Sequence, residues 1–226
     1  MSEDGRLRRG ERTRTAVLDR TLWLASVEGL DGLSLARLAD TLNVSKSGLF
    51  AHWRSKEALQ LAVIEHARQQ WTAEIVRPAL DAPRGVRRLW AAHDHRMALY
   101  ESEKLPGGCF FANAYFEFNA RQGVVRERLV AELNDWTEFL TGLAEQSVDL
   151  GDLRPGTDPA SLVQLTDSLG VYAAMQVPVL GAAVTCRRSR RALLGHLRAL
   201  ATDPTDRKST RLNSSHRPLS RMPSSA

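Results

Sequence analysis

The chain has few cysteines and no long apolar run, and these absences exclude several classes of protein. Only two cysteines, Cys109 and Cys186, occur among 226 residues. They are too few for a disulfide framework or for a zinc site built from four thiolates. No apolar stretch approaches the ~18 residues that a membrane-spanning helix needs, and no apolar signal segment follows the basic N-terminus. We therefore expect a cytoplasmic protein in a reducing compartment.

Lysine is scarce, and the positive charge is unevenly distributed along the chain. The 31 basic residues include only four lysines, against 26 acidic residues and a formal net charge of +5. Residues 1–56 carry ten basic and seven acidic side chains, whereas residues 57–204 carry sixteen and eighteen. Residues 205–226 add five basic side chains and one acidic side chain. A nucleic acid would therefore have to bind the first segment, which is the compact stretch with a basic bias.

The alternating apolar and polar pattern of strands is lacking, and no internal repeat is visible. Apolar residues recur instead at helical spacing nearly throughout, which predicts an all-α fold of about nine helices. The first helix has Leu18, Leu22 and Ala25 on one face and ends at Gly29. Further helices are predicted around apolar stripes that begin at Val86, Val125, Leu162 and Leu193, and a short aromatic helix is predicted from Phe111.

Three serines divide the segment after the first helix into short helical units. Ser34 is a good N-cap for one short helix, and Ser45 is a good N-cap for a second that runs through Phe50. Ser55 can cap a longer helix that continues to about Val76. Two short helices joined by a tight turn and packed on a longer one indicate a helix-turn-helix.

Residues 33–59, LSLARLADTLNVSKSGLFAHWRSKEAL, resemble the DNA-binding region of the TetR/AcrR family of bacterial transcriptional regulators. The resemblance implies a helix-turn-helix DNA-binding domain over residues 11–71, with its motif at about 34–53, and a helical ligand-binding and dimerisation domain over 75–204. It also implies a homodimer that binds palindromic double-stranded DNA, more often a repressor than an activator and not an enzyme. The positions that carry the resemblance are Ala39, Val44, Ser45, Gly48, Leu49, Phe50, His52 and Ser55-Lys56-Glu57-Ala58-Leu59.

The second short helix has the residue types of a recognition helix. Such a helix enters the major groove, so its exposed face should be small or polar, as Lys46, Ser47 and Gly48 are. Val44 and Leu49 can anchor it to the core. The alternative to a DNA contact is that Lys46 is an ordinary solvated lysine. The predicted DNA contacts are Ser34, Arg37, Ser45, Lys46, Ser47, Gly48, Phe50, His52 and Lys56.

Lys56 is the most informative of these residues. It follows the Ser55 cap directly, where the helix dipole disfavours a cation unless a phosphate lies between the lysine and the backbone N–H groups. The resemblance implies that this lysine contacts the DNA backbone; a flexible, solvated lysine is the alternative. Phe50 stands where many relatives have Tyr, so we expect it to keep only a packing role. Trp53 is expected in the core.

The aromatic residues of the second domain predict an effector pocket, although a helical core would also explain them. We expect a small, largely apolar effector that lies beside His93, with the helix from Ser55 to Val76 transmitting its binding to the recognition helix. The C-terminal helices, at about 158–179 and 187–201, are expected to form the dimer. No cofactor or metal ion is predicted. The expected lining residues are Trp90, His93, Met97, Phe111, Tyr115, Trp136 and Gln176.

The sequence also allows two other functions, and its C-terminal segment has an unusual composition. A ligand-independent DNA-binding protein would share the motif but need no effector. A helical enzyme that uses His93 and Cys109 is a more distant alternative, although His93 and His95 are two positions apart on a helix and do not converge on one metal ion. Residues 205–226 are rich in Ser, Arg and Pro and resemble translated vector sequence, so we expect a non-native disordered tail rather than a basic DNA-binding tail.

Overall fold

The computed structural model describes the backbone of residues 3–42 and 44–202, with side chains from residue 14 onward in those ranges. These residues form ten α-helices and one π-helical turn, and their β-structure is limited to an isolated bridge between Leu153 and Ala201. Two of the α-helices and the π-helical turn between them follow one another without a break and form one rod. The described residues therefore contain nine helical rods. The predicted all-α fold is confirmed. The predicted tail at 205–226 lies outside the described residues.

The N-terminal part of the chain contains three helices, which are α1 (Glu3–Glu28), α2 (Leu35–Leu42) and α3 (Lys46–His52). Leu18, Leu22 and Ala25 are buried on one face of α1, as predicted. The helix ends at Gly29, whose φ of 86° lies in the left-handed region that favours glycine. Buried side chains of α2 and α3 join those of α1 and of the helix that comes next in one apolar cluster.

The next rod consists of α4 (Lys56–Trp71), a π-helical turn (Thr72–Val76) and α5 (Arg77–Asp81). The rod is continuous because the backbone stays helical at both junctions. Pro78 lies in the first turn of α5, where its missing N–H breaks no bond within that helix. The rod ends when Ala82 becomes extended before Pro83, which disfavours a helical residue in front of it. The predicted end at Val76 is therefore too early.

The second domain contains five helices, which are α6 (Val86–Glu101), α7 (Phe110–Phe118), α8 (Val124–Asp149), α9 (Pro159–Leu180) and α10 (Ala182–Leu200). Asp158 caps α9 by accepting hydrogen bonds from the N–H groups of Ala160 and Ser161, at 3.2 and 3.0 Å. Gly181, with a φ of 85°, makes the whole turn between α9 and α10. For this reason α10 begins five residues before the predicted start at 187.

Two clusters of buried apolar residues hold these helices together. The first cluster includes Leu22 of α1, Ile64 of α4 and Phe118 of α7, so it spans both parts of the chain. The second cluster includes Trp90 of α6 and Leu162 of α9, and its buried members lie within residues 79–197. The short helix α7 therefore packs directly against the N-terminal helices. Each helix in the described ranges is too short or too polar to span a bilayer.

Candidate nucleic-acid interface and internal cavity

Helix α3 presents its first turn to solvent and anchors its other side in the core. The Ser45 side chain accepts a hydrogen bond from the Gly48 N–H at 3.1 Å and thereby caps the helix. Lys46, Ser47 and Gly48 are exposed, whereas Leu49 is buried in the first apolar cluster. The structure therefore has the small, polar, exposed face that the sequence predicts for a recognition helix.

The end of α3 differs from the prediction at one residue. Phe50 is 46% exposed, so the packing role predicted for it is wrong. The inward position is taken by Trp53, which is 2% exposed and lies in the core as predicted. His52 is exposed, with its ring centroid 5.5 Å from that of Trp53. An exposed phenyl ring on this helix can contact a thymine methyl group in the major groove.

Lys56 is held by the turn between α1 and α2. Ser55 caps α4 as predicted, because its hydroxyl accepts the Ala58 N–H at 3.0 Å. The Lys56 ammonium lies 2.9 Å from Asp31 Oδ1 and also donates to the Asp31 carbonyl. The lysine holds the pKa of Asp31 below its usual range. The Asp31 carboxylate of the same chain thus balances the charge of Lys56 at the start of α4. The Lys56 side chain is 45% exposed and remains within reach of a phosphate.

The remaining predicted DNA contacts are also at the surface. Ser34 is exposed at the start of α2, where its carbonyl accepts the Leu38 N–H at 2.8 Å. Arg37 lies 2.7 Å from Glu28, and the Lys46 ammonium lies 3.9 Å from a carboxylate oxygen of α2. Exposed ion pairs of this kind contribute about 0–1 kcal/mol. These cations can therefore exchange their partners for phosphates at little cost.

A cavity of about 200 Å³ lies among α4, the π-helical turn, α6, α7, α8 and α9. Its walls are mainly aromatic and bring together Phe111, Tyr115 and Trp136, three of the predicted ligand-binding residues. Trp71 lies at the centre of this set, with its ring 5.7 Å from Phe111 and 5.1 Å from Trp136, both edge to face. Trp71 is not among the lining residues that the sequence predicts.

Arg96, which sequence reasoning missed, is the buried cation of this cavity. Its side chain is 5% exposed, and its Nε and Nη1 donate to the Tyr100 hydroxyl and to Asp167 Oδ1, both at 2.7 Å. Asp167 Oδ1 also accepts the Trp136 Nε1–H at 2.9 Å. Burial lowers the pKa of Arg96, but Tyr100 and Asp167 together outweigh that effect. The net shift of the pKa is upward, so the guanidinium stays charged. The guanidinium carbon lies 5.4 Å from the Trp71 ring centroid, a favourable cation–π distance.

A second charged group borders the cavity beside α4. Glu132 of α8 is 7% exposed, pairs with Arg128 and lies 3.9 Å from Arg68 Nε. Glu65 joins the two arginines, at 2.6 Å from Arg68 and 3.1 Å from Arg128. Burial raises the pKa of Glu132, and the two arginines offset part of that effect. The cavity therefore has apolar walls and charged ends, and it is more polar than the sequence predicts.

Four residues predicted to line the pocket lie elsewhere. Trp90 packs in the second apolar cluster, and Met97 packs in the first. His93 is buried with its Nε2 3.1 Å from the Ser189 hydroxyl, between α6 and α10. Gln176 lines a separate groove between α9 and α10. The prediction that these four share a pocket with the aromatic residues of α7 is therefore wrong, because the apolar stripe of α6 faces several different neighbours and Gln176 of α9 faces α10.

The residues of the enzyme alternative are not brought to one site. Cys109 borders the cavity, whereas His93 bonds Ser189 between α6 and α10. Within the described ranges, no group of three or more His, Cys, Asp and Glu side chains is arranged to hold a metal ion. The geometry accordingly gives the two residues no common chemistry.

The exposed, capped α3 and the apolar cluster that it shares with α1 and α4 define the class, a helix-turn-helix DNA-binding protein with a larger helical C-terminal domain. Two family models agree with that class. Residues 17–63 match the model described as bacterial regulatory proteins of the tetR family. Residues 85–193 match the model described as the tetracyclin repressor-like C-terminal domain. Together the matches cover more than two thirds of the chain, which belongs to the TetR family of transcriptional regulators.

Solved structures of TetR-family regulators share this fold. A regulator from Chloroflexus aurantiacus matches with a TM-score of 0.78 over 86% of this chain and 98% of its own, at 24% identity. A cysteine mutant of CifR, solved with 26-base-pair operator DNA, matches at 0.68 over 80% and 95%, at 23% identity. AibR, solved with isovaleryl coenzyme A and operator DNA, matches at 0.61 over 83% and 97%, at 19% identity. No curated protein sequence matches the chain.

Proposed function

We propose that this TetR-family protein binds a palindromic operator as a homodimer and represses transcription until a small molecule enters the cavity. The observation that carries the proposal is the capped first turn of α3, which leaves Lys46, Ser47 and Gly48 exposed. Side chains of this size and polarity allow the helix to approach base edges in the major groove. CifR and AibR, which share the fold, were solved with operator DNA. Because such a regulator acts on the bacterial chromosome, we place it in the cytoplasm.

A second copy of the chain supplies the second recognition helix that a palindromic site needs. Two-fold partners can engage half-sites in successive major grooves, about 34–36 Å apart. Helix α9 exposes a strip of large apolar side chains at i, i+3 and i+7, which share one face of a helix. This strip and the adjacent α10 support the predicted dimer through the two C-terminal helices. The strip consists of Tyr172, Met175 and Val179, which are 56%, 57% and 78% exposed.

The cavity supports regulation by a small molecule with an apolar or aromatic body and one polar substituent. Aromatic walls favour the body, and the Arg96–Asp167 pair and Tyr115 offer hydrogen-bonding groups to the substituent. AibR was solved with isovaleryl coenzyme A as well as with operator DNA. The aromatic side chains of the walls are Trp71, Phe111, Tyr115, Trp136 and Phe139.

Operator binding is tested by selecting bound duplexes from a random pool and measuring the Kd of the selected site at several salt concentrations. We expect a palindromic sequence and a Kd that rises with salt, because phosphate contacts release counterions. Lys56→Ala should weaken binding to all duplexes and reduce the salt slope by about one unit. Lys46→Ala should instead change which sequences are preferred.

Lys104→Ala is the matched control for Lys56→Ala. Lys104 is an exposed lysine of the second domain that pairs with Glu74 at 2.7 Å, so its loss should leave the salt slope unchanged. If the wild-type chain enriches no sequence, the proposal of operator binding is wrong. If Lys56→Ala and Lys104→Ala have the same slope as the wild-type chain, operator binding stands but Lys56 is not a phosphate contact.

A further inference from the structure

We propose that α7 links the cavity to the DNA-contacting start of α4 through Glu117 and Arg121, which hold the turn that carries Asp31 and, through Asp31, hold Lys56. The inference rests on the proposed function, because it concerns how the state of the cavity changes DNA binding. It assigns positioning roles to two residues that lie outside both the helix-turn-helix and the cavity.

Glu117 grips the backbone of the turn between α1 and α2. Its Oε2 accepts the Leu30 N–H at 2.7 Å and its Oε1 accepts the Asp31 N–H at 2.9 Å. A Cβ at Gly29 would lie 2.7 Å from Glu117 Oε1, so the glycine is required for this approach as well as for its positive φ. A carboxylate that accepts two backbone N–H groups makes a strong, directional contact. The position of α7 therefore sets the position of the turn.

Arg121 and Lys56 share the carboxylate of Asp31. Arg121 Nη1 lies 2.8 Å from Asp31 Oδ2, and the Lys56 ammonium lies 2.9 Å from Oδ1. Arg121 Nε also donates to the Glu117 carbonyl at 3.1 Å, which ties it to α7. The Asp31 carboxylate thus pairs both with Arg121 of the second domain and with Lys56 at the proposed DNA contact. Displacement of Arg121 changes how strongly Asp31 holds Lys56, and so changes how readily Lys56 can turn to a phosphate.

The beginning of α7 is docked on the end of α1 as well. Asn113 Nδ2 donates to the Ser26 carbonyl at 3.3 Å and to the Gly107 carbonyl at 2.9 Å. The Gly107 N–H faces the Ser26 hydroxyl at 3.4 Å, and a Cβ at Gly107 would overlap the Ser26 carbonyl. Both ends of α7 are therefore attached to the N-terminal helices.

Another face of α7 forms part of the cavity wall. Phe111, Ala112 and Tyr115 line the cavity, whereas Glu117 points to the turn. A helix of nine residues moves largely as a unit, so a molecule that displaces its cavity face also displaces Glu117 and Arg121. This route is shorter than the one predicted along the helix that starts at Ser55, because it reaches Lys56 from the side rather than along the length of α4.

The first test is a double-mutant cycle on the selected operator, using Glu117→Gln, Lys56→Ala and the double variant. A Gln side chain offers one acceptor oxygen and turns its NH₂ group toward a backbone N–H, so the turn loosens. We expect Glu117→Gln to weaken operator binding by about threefold or more and to reduce the salt slope, with less than about twofold further loss when Lys56 is already absent. Removal of an acidic charge alone would strengthen DNA binding, so the expected direction is diagnostic.

Glu138→Gln, an exposed glutamate of α8, is the control for loss of charge. Far-UV circular dichroism at the assay temperature checks that all variants are equally folded, which separates positioning from simple destabilisation. If the losses from Glu117→Gln and Lys56→Ala multiply independently, Glu117 does not act through Lys56 and the proposal is overturned. The same conclusion follows if Glu117→Gln binds as tightly as Glu138→Gln.

The second test uses Val171→Phe, which places a phenyl group in the cavity from the wall that α9 forms, across from α7. We expect the operator Kd to change by about fivefold or more in the otherwise wild-type chain, and by less than about twofold when Arg121→Gln is also present. Should Val171→Phe lose helicity, Val171→Leu takes its place. An equal change in both backgrounds, or no change in either, overturns the proposed link while wild-type operator binding stands. A wild-type chain that selects no operator refutes the proposed function instead.

Discussion

His93 is a buried imidazole whose surroundings keep it neutral. It is 1% exposed, and its Nε2 lies 3.1 Å from the Ser189 hydroxyl, which itself donates to the Leu169 carbonyl at 3.2 Å. A hydroxyl has one hydrogen, so His93 Nε2 must carry the hydrogen in the bond to Ser189. Burial, then repulsion by Arg96 and Arg190, lowers the pKa of His93 to about 3.

This environment predicts a loss of stability in mild acid. The unfolded imidazole titrates near pH 6.5 and the folded one near 3, so between these values the unfolded state binds more protons and the free energy of unfolding falls as the pH falls. The contribution of His93 should drop by about 1.4 kcal/mol between about pH 7.5 and about pH 5.5. His93→Gln should lose that part of the pH dependence, as measured by urea unfolding at both pH values.

His196→Gln, which removes an exposed imidazole from α10, is the control for the substitution itself. A pH dependence in His93→Gln equal to that of the wild-type chain would show that the folded imidazole titrates near its ordinary pKa.

At the scale of helices, the packing of α9 on α6 depends on a missing side chain. A Cβ at Gly170 of α9 would overlap the Arg96 guanidinium, which is buried between these helices. Glycine inside a helix costs about 1 kcal/mol relative to alanine. The site tolerates this cost because the space lets Arg96 reach Asp167 and Tyr100. The helix α9 therefore carries a local defect that only its neighbour explains.

Gly170→Ala should consequently destabilise the protein, although alanine has a higher intrinsic helix propensity than glycine. We expect the free energy of unfolding to fall by roughly 1–3 kcal/mol, because the Arg96 guanidinium must leave its partners. Gly142 of α8 is the matched control, since nothing lies within 4 Å of a Cβ built there. Gly142→Ala should raise the free energy of unfolding by up to about 1 kcal/mol. Urea unfolding of both variants decides the matter, and stabilisation by both would mean that Arg96 is not confined by Gly170.

At the scale of the whole molecule, the exposed strip of α9 predicts a dimer that a single charge can break. Val179→Glu places a carboxylate on the most exposed of these apolar residues, at 78%, and should convert the dimer to a monomer without loss of helicity. Operator affinity should fall in parallel, because one recognition helix reads too few base pairs. Sedimentation velocity and operator binding are the measurements.

Phe116→Glu is the control for the dimer experiment. Phe116 is a comparably exposed apolar residue, at 63%, but it lies on α7 rather than on α9. We expect this variant to remain dimeric. A Val179→Glu chain that stays dimeric would place the interface on another face.

Much of the DNA-binding site could be predicted because its signals are local. Helix caps depend on residues a few positions apart, and the Ser45 and Ser55 caps are confirmed. The exposed face of α3 follows from helical spacing in the same way. The packing role expected of Phe50 is wrong because helical spacing alone does not show which residues at the end of α3 face the core.

The helical fold, the helix-turn-helix and the order of the helices follow from local patterns in the chain, because caps, glycine turns and apolar periodicity act over a few residues. Which side of each helix meets which partner depends on contacts between residues that are far apart in the chain. Arg96 and Asp167 are 71 residues apart and Glu117 and Leu30 are 87 apart, so no pattern in the chain pairs them. The cavity and its link to Lys56 arise where α4, α6, α7, α8 and α9 meet, and their charged residues are indistinguishable from solvated ones until the helices are packed.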